Sequence, residues 1–430
     1  MIVSRLSVLA LCFAGAAVQA KPLISSSEET AARICMAREL EPKRIVEACD
    51  VALGEAGLTL AQRVDMMVAR GDGLFWQDHF VEAANSYRAA TGIDPAATDA
   101  WNGLGWALWE TDGDAAALEA FEASLKVDVS VQGLGGKAAT ARRSGVISNE
   151  EARTLLNAAL AIDPDYIWAV RELGWSHIED RNYSDAKLAF REALDIEPQD
   201  VNARYGLGRA KLSTGAAEEA LTIFNDALAD APEDFSLKVY RIIALRNLDR
   251  NAQALRHANR LIAENPDRSS GYIERGLSLV ALERRAEAIE TYQVAEKKIG
   301  PDNAILYWYA DALSTDGRFQ EALQVIDRGL TLDKADYSDH LLKSYIALEL
   351  ENYPLARKAA EDSLATGVND PWAHYYIAIT MVHDGAVNEA VTQFSTAMAA
   401  GLPQHRVGAF ARELISAGKY VEAAQLRLNF

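Results

Sequence analysis

The stretch Ile167–Pro198, IWAVRELGWSHIEDRNYSDAKLAFREALDIEP, decides how the rest of the chain is read, because its pattern returns almost to the C-terminus. Its anchor is Ala186, one of a series of small residues: Ala83, Ala117, Ala152, Ala186, Ala220, Ala254, Ala288, Ala322, Ala356, Ala390 and Ala423. Successive members keep one step, as from 186 to 220; it is a single position longer between Ala117 and Ala152 and a single position shorter between Ala390 and Ala423. A second series keeps pace with it, placing Tyr87, Phe121, Leu156, Phe190, Phe224, Tyr292, Ile326 and Phe394 one helical turn after their alanines. Upstream stand Leu104-Gly105, Leu173-Gly174 and Leu207-Gly208, and downstream Pro95, Pro164, Pro198, Pro232 and Pro266.

Small residues at fixed places on two successive helices let their backbones approach, while the rings fill the space between one hairpin and the next. A single hairpin cannot bury its apolar face alone, so neighbours must stack. W-x-x-L-G from Trp101, then A-x-x-x-F, then P at a period near 34 resembles the tetratricopeptide repeat family over most of the chain. The resemblance implies an all-α, right-handed superhelical solenoid of helix hairpins and a protein-binding role.

Outside the repeats, residues 1–20 read as an export signal, with Arg5, an apolar run from Leu6 to Val18, and Val18 and Ala20 placed for cleavage before Lys21. Lipoprotein processing at Cys12 is disfavoured by Leu11 where a small residue is needed. Export places the mature protein in the periplasm or outside the cell, with no integral membrane segment. Residues 21–57 then form a helical hairpin carrying Cys35 and Cys49 around a turn at Glu41-Pro42. In an oxidising compartment we expect a disulfide between them, the other reading being two buried thiols. In the chain-entropy model such a loop gains ~3 kcal/mol. Residues 58–430 are expected to hold about 11 repeats.

The third repeat contains Gly133-Leu134-Gly135-Gly136-Lys137-Ala138, which reads as G-x-G-x-x-A after alternating Val127, Val129 and Val131. A dinucleotide turn needs a βαβ unit, and the flanks are helical repeat, so a divergent repeat is the stronger reading. Aligning Gly133-Leu134-Gly135 on Gly103-Leu104-Gly105 shortens the preceding loop and lengthens the one around Arg142 to Asn149. At the C-terminus, Leu426, Leu428 and Phe430 alternate like a barrel strand, but a single strand closes no barrel and a helix end is preferred.

Of the 430 residues 62 are acidic and 43 basic, a formal net charge of −19, which argues against a nucleic-acid partner. The seven histidines fall in no metal-binding spacing, no nucleophile elbow occurs, and Glu150-Glu151 and Glu218-Glu219 suit helix N-termini. We therefore expect no enzyme, no metal and no cofactor. What stands out is an aromatic stripe on the first helices: Trp106, Trp109, Trp168, Trp175, Tyr205, Tyr307, Tyr345, Trp372 and Tyr375. These residues, with Asn102, Arg171 and Arg209, are expected at the offsets that face a concave groove. The expected function is a scaffold in the cell envelope, one subunit of a complex, that holds a protein or extended peptide in that groove. The alternative is a glycan- or cell-wall-binding component of a polysaccharide export or assembly machine, since the same rings suit sugars.

Overall fold

A computed structural model describes residues 31–37, 40–111, 113–332 and 335–429. The expected export signal lies outside them. Within them are 24 helices, from Ala31–Cys35 to Tyr420–Asn429, and no strand. The Val127 to Val131 segment is therefore the end of one helix, Asp114–Val127, and the start of another, Val131–Arg143. By internal packing the chain divides into two compact units, meeting between Leu237 and Lys238 inside the helix Phe235–Asn247.

In the first unit each helix packs on its successor, and first helices also touch the first helix of the next hairpin. The N-terminal hairpin is closed by a Cys35–Cys49 disulfide, with the two Cα atoms 4.6 Å apart. Both cysteines are buried among Ile45, Ala48, Ala52 and Met66. Pro42 opens its second helix, where a missing N–H costs nothing.

The repeat itself is held by rings seated between glycines. A Cβ added at Gly174 would fall 2.7 Å from the Phe190 ring, and one at Gly206 on the next first helix 2.2 Å from it. Tyr87 sits in the same way between Gly71 and Gly103, and Phe121 between Gly105 and Gly136. One ring therefore joins three helices, and only glycine leaves room for it. This corrects the alignment of the third repeat: Gly136, and not Gly133, is the counterpart of Gly103. The loop before it is shorter by one residue only, since Ala117 to Gly136 spans 19 positions and Ala83 to Gly103 spans 20. The lengthened turn is where the sequence placed it, Gly145 to Ala152 spanning 7 positions against 5 from Arg181 to Ala186.

In the second unit the same site is filled by exchange of volume. Ile242 stands where the glycine stood and Ala258 where the ring stood; both are fully buried. Gly276 goes with Tyr292, Ala310 with Ile326, and Ser344 with Ala360. Ser344 also donates a hydrogen bond to the Ala356 carbonyl at 2.8 Å, which satisfies its buried hydroxyl. Tight turns inside the hairpins use left-handed residues at the repeat period, Asp249, Glu283, Gly317, Glu351 and Gly385. Gly317 and Gly385 take that conformation without a Cβ penalty, which the three carboxylate residues bear.

Candidate partner-binding face

The nine aromatic residues separate into two groups. Trp106 (1% exposed), Trp168 (2%) and Tyr375 (4%) are core and cannot form a binding surface. Trp106 contacts Phe121 and Trp168, each with ring centroids 5.0 Å apart, edge to face. Trp106 and Trp168 come from first helices on either side of Val131–Arg143, whose glycines make the space: a Cβ at Gly135 would lie 2.9 Å from the Trp168 ring. The G-x-G-x-x-A sequence thus leaves room for the rings of Trp168, at Gly135, and Phe121, at Gly136, while Gly133 faces Leu125. Tyr375 packs against Phe394 and Phe410.

Two other residues expected in the groove are also interior. Arg171 pairs with Asp200 at 2.6 Å, both side chains 5% exposed, and Asp200 also caps the helix Val201–Ser213. Asn102 is buried and donates to the Ser130 hydroxyl at 3.2 Å.

Trp109, Trp175, Tyr205, Tyr307, Tyr345 and Trp372 are half-buried on first helices. In the first unit, Trp175 and Tyr205 lie 5.5 Å apart, and the Arg209 guanidinium carbon stands 5.3 Å from the Trp175 centroid and 5.7 Å from that of Tyr205. The Arg143 guanidinium lies over Trp109 at 4.2 Å. In the second unit Arg406 lies over Trp372 at 4.5 Å. Each arginine follows its tryptophan by the same sequence step (109 to 143, 175 to 209, 372 to 406) and lies on the first helix one hairpin on, with Arg143 one position beyond the counterpart of Trp109 because the loop before its helix is one residue short. Sequence reasoning overlooked Arg143 and Arg406 in this role, though an arginine one period after an aromatic residue was a visible signal. It also passed over Tyr376, whose ring lies 6.4 Å from Tyr345 and 6.1 Å from Trp372.

A single column runs along the first helices of the second unit: Ile243, Leu277, Asp311, Tyr345, Ile379 and Glu413, spaced at the repeat period and all half-buried. Burial raises the Asp311 carboxyl above the ordinary range. Burial first, and then the Asp311 charge, pushes the Tyr307 hydroxyl up to about 12. The face is therefore apolar and aromatic with two half-buried acids: Asp311, which burial raises, and Glu413, which lies 3.6 Å from the His383 ring nitrogen. No described helix is long and apolar enough to cross a membrane.

Two models described as tetratricopeptide repeat match the chain, one at residues 177–240 and the other at 68–144, 241–304 and 273–337. No curated protein matches significantly. Among solved structures, yeast Tom70 is similar with a TM-score of 0.55 at 12% identity, over 90% of this chain and 93% of that one. A tetratricopeptide repeat protein from Parabacteroides merdae matches at 21% identity over 59% of this chain and 99% of that one, TM-score 0.46. The thermophilic repeat protein TTC0263 from Thermus thermophilus matches at 24% identity over 43% and 98%, TM-score 0.38. The Tom70 likeness is one of fold.

Proposed function

This chain belongs to the tetratricopeptide repeat superfamily, and from that premise we propose that it is an exported interaction scaffold holding an extended polypeptide of a partner protein along its first-helix face. One observation carries the reading: half-buried aromatic and aliphatic side chains recur on that face at the repeat period, left over after the core has taken Trp106, Trp168 and Tyr375. An extended chain also has a period and can place successive side chains against successive hairpins.

The arginines favour a polypeptide over a glycan. A sugar stacks on a flat exposed ring, and Trp109, Trp175 and Trp372 each carry a guanidinium over the indole. Export is supported by the signal-like N-terminus and by the buried Cys35–Cys49 bond, which belongs in an oxidising compartment. N-terminal sequencing of the cell-envelope protein tests this part; a chain beginning at Lys21 is expected, and retention of Met1 in a cytosolic fraction contradicts it.

The binding reading is tested by selecting peptides from a random library on the wild-type protein and on the double variant Tyr307→Ala, Tyr345→Ala. Loss of binding by about tenfold or more in a folded double variant is expected, as for aromatic anchors elsewhere. Equal binding by both proteins removes the first-helix face from the account.

A further inference from the structure

We propose that Asp311, with Tyr307 and Tyr345 beside it, is a subsite for a cationic side chain, the ammonium of lysine or the guanidinium of arginine, on the bound polypeptide. Tyr307 lies one turn before Asp311 on Asn303–Thr315, and Tyr345 holds the Asp311 position on the next first helix, one repeat period on. The inference rests on the first-helix reading above and adds what that face selects.

Elsewhere on first helices the protein fills such places itself, with Arg143 over Trp109, Arg209 over Trp175 and Tyr205, and Arg406 over Trp372. At Tyr307 and Tyr345 the register breaks: their counterparts one period on are Leu341 and Ile379, and no described cation lies over either ring. Instead the face presents a carboxylate that neither accepts a hydrogen bond nor forms an ion pair among the described residues. Lys343, two residues before Tyr345, is paired with Asp327 at 2.8 Å. Desolvation of a half-buried carboxylate that accepts no hydrogen bond is costly, and an arriving cation offsets that cost. Its charge is felt by Tyr292, Tyr307 and Tyr345, whose hydroxyls burial and then neighbouring acid groups raise. Aromatic rings beside an acid form a site suited to an alkylated cation. A net charge of −19 draws basic segments toward the protein from a distance.

The test is a random dodecapeptide library selected at pH 7 on the wild type and on Asp311→Asn. Selected peptides are then resynthesised with norleucine, which keeps lysine's four side-chain carbons and lacks its ammonium, at each basic position. On the wild type one fixed position should carry lysine or arginine, and norleucine there should weaken binding about tenfold. Asp311→Asn should bind the norleucine peptide as the wild type does, which also shows that the variant is folded, and should have lost the preference for the cation. Peptides with no fixed basic position, or a cation preference that Asp311→Asn retains, overturn the subsite and leave the peptide-binding reading standing. A wild type that selects no peptide overturns both.

Discussion

The ring of Phe190 occupies the volume that a side chain on Gly206 would need: a Cβ there would lie 2.2 Å from the ring's Cζ, although the two residues sit on different hairpins. Helix propensity opposes glycine in mid-helix by about 1 kcal/mol, so its presence is explained by packing alone. Gly206→Ala gains that propensity and forces apart a ring that is fully buried, at about 1–3 kcal/mol. The overpacking wins. Gly206→Ala should melt below wild type, and Gly206→Ala with Phe190→Leu should melt above the value expected from adding the two single changes. Additive losses would mean that ring and glycine do not share one space. At the other glycine beside this ring, Gly174 of the same hairpin, the second unit makes such an exchange itself, pairing Ile242 with Ala258 and Ala310 with Ile326.

Trp106 and Trp175 are to be separated by their roles. Trp106→Ala empties a site between Phe121 and Trp168 and should cost about 3–5 kcal/mol. Trp175 is half-buried, with its edge on Phe190 and Arg209 over its face. Trp175→Ala should lower the melting temperature less than Trp106→Ala and weaken peptide binding more. Equal melting losses would place Trp175 in the core.

Asp311 makes one contribution to the pH dependence of stability. Burial raises its carboxyl in the folded state, so the folded protein holds that proton more tightly than the unfolded chain does. Stability from this group is fully present below the ordinary aspartate value near 4 and is lost as pH rises through the raised folded value. At pH 7 the charged carboxylate opposes folding. Asp311→Asn should therefore melt above wild type at pH 7, with the difference shrinking as pH falls toward 4. A variant less stable at pH 7 would show that the carboxylate has a stabilising partner.

Most of the architecture was legible because the repeat writes each contact many times: the alanine series located the hairpins and the rings marked the spaces between them. The binding face was less legible, since one helix position can be core or surface depending on a neighbour. Trp106 and Arg209 occupy the same position on their helices, one closed in by Trp168 and the other lying over two rings. The deciding residues were Gly135 and Gly136, whose missing side chains admit Trp168 and Phe121. The Asp200 partner of Arg171 was likewise hidden, because this ion pair joins two hairpins that only packing brings together.

The central claim is that the partner lies along the first helices, and site-specific photocrosslinking in the cell measures this most directly. A photoreactive residue is placed at Leu277 or Ile379 on first helices, or at Leu188 or Val294, which are exposed on second helices. The account predicts that one partner band is trapped from Leu277 and Ile379, disappears in the Tyr307→Ala, Tyr345→Ala variant, and is absent from Leu188 and Val294. The same band trapped from Leu188 or Val294, and not from the first-helix positions, would contradict it.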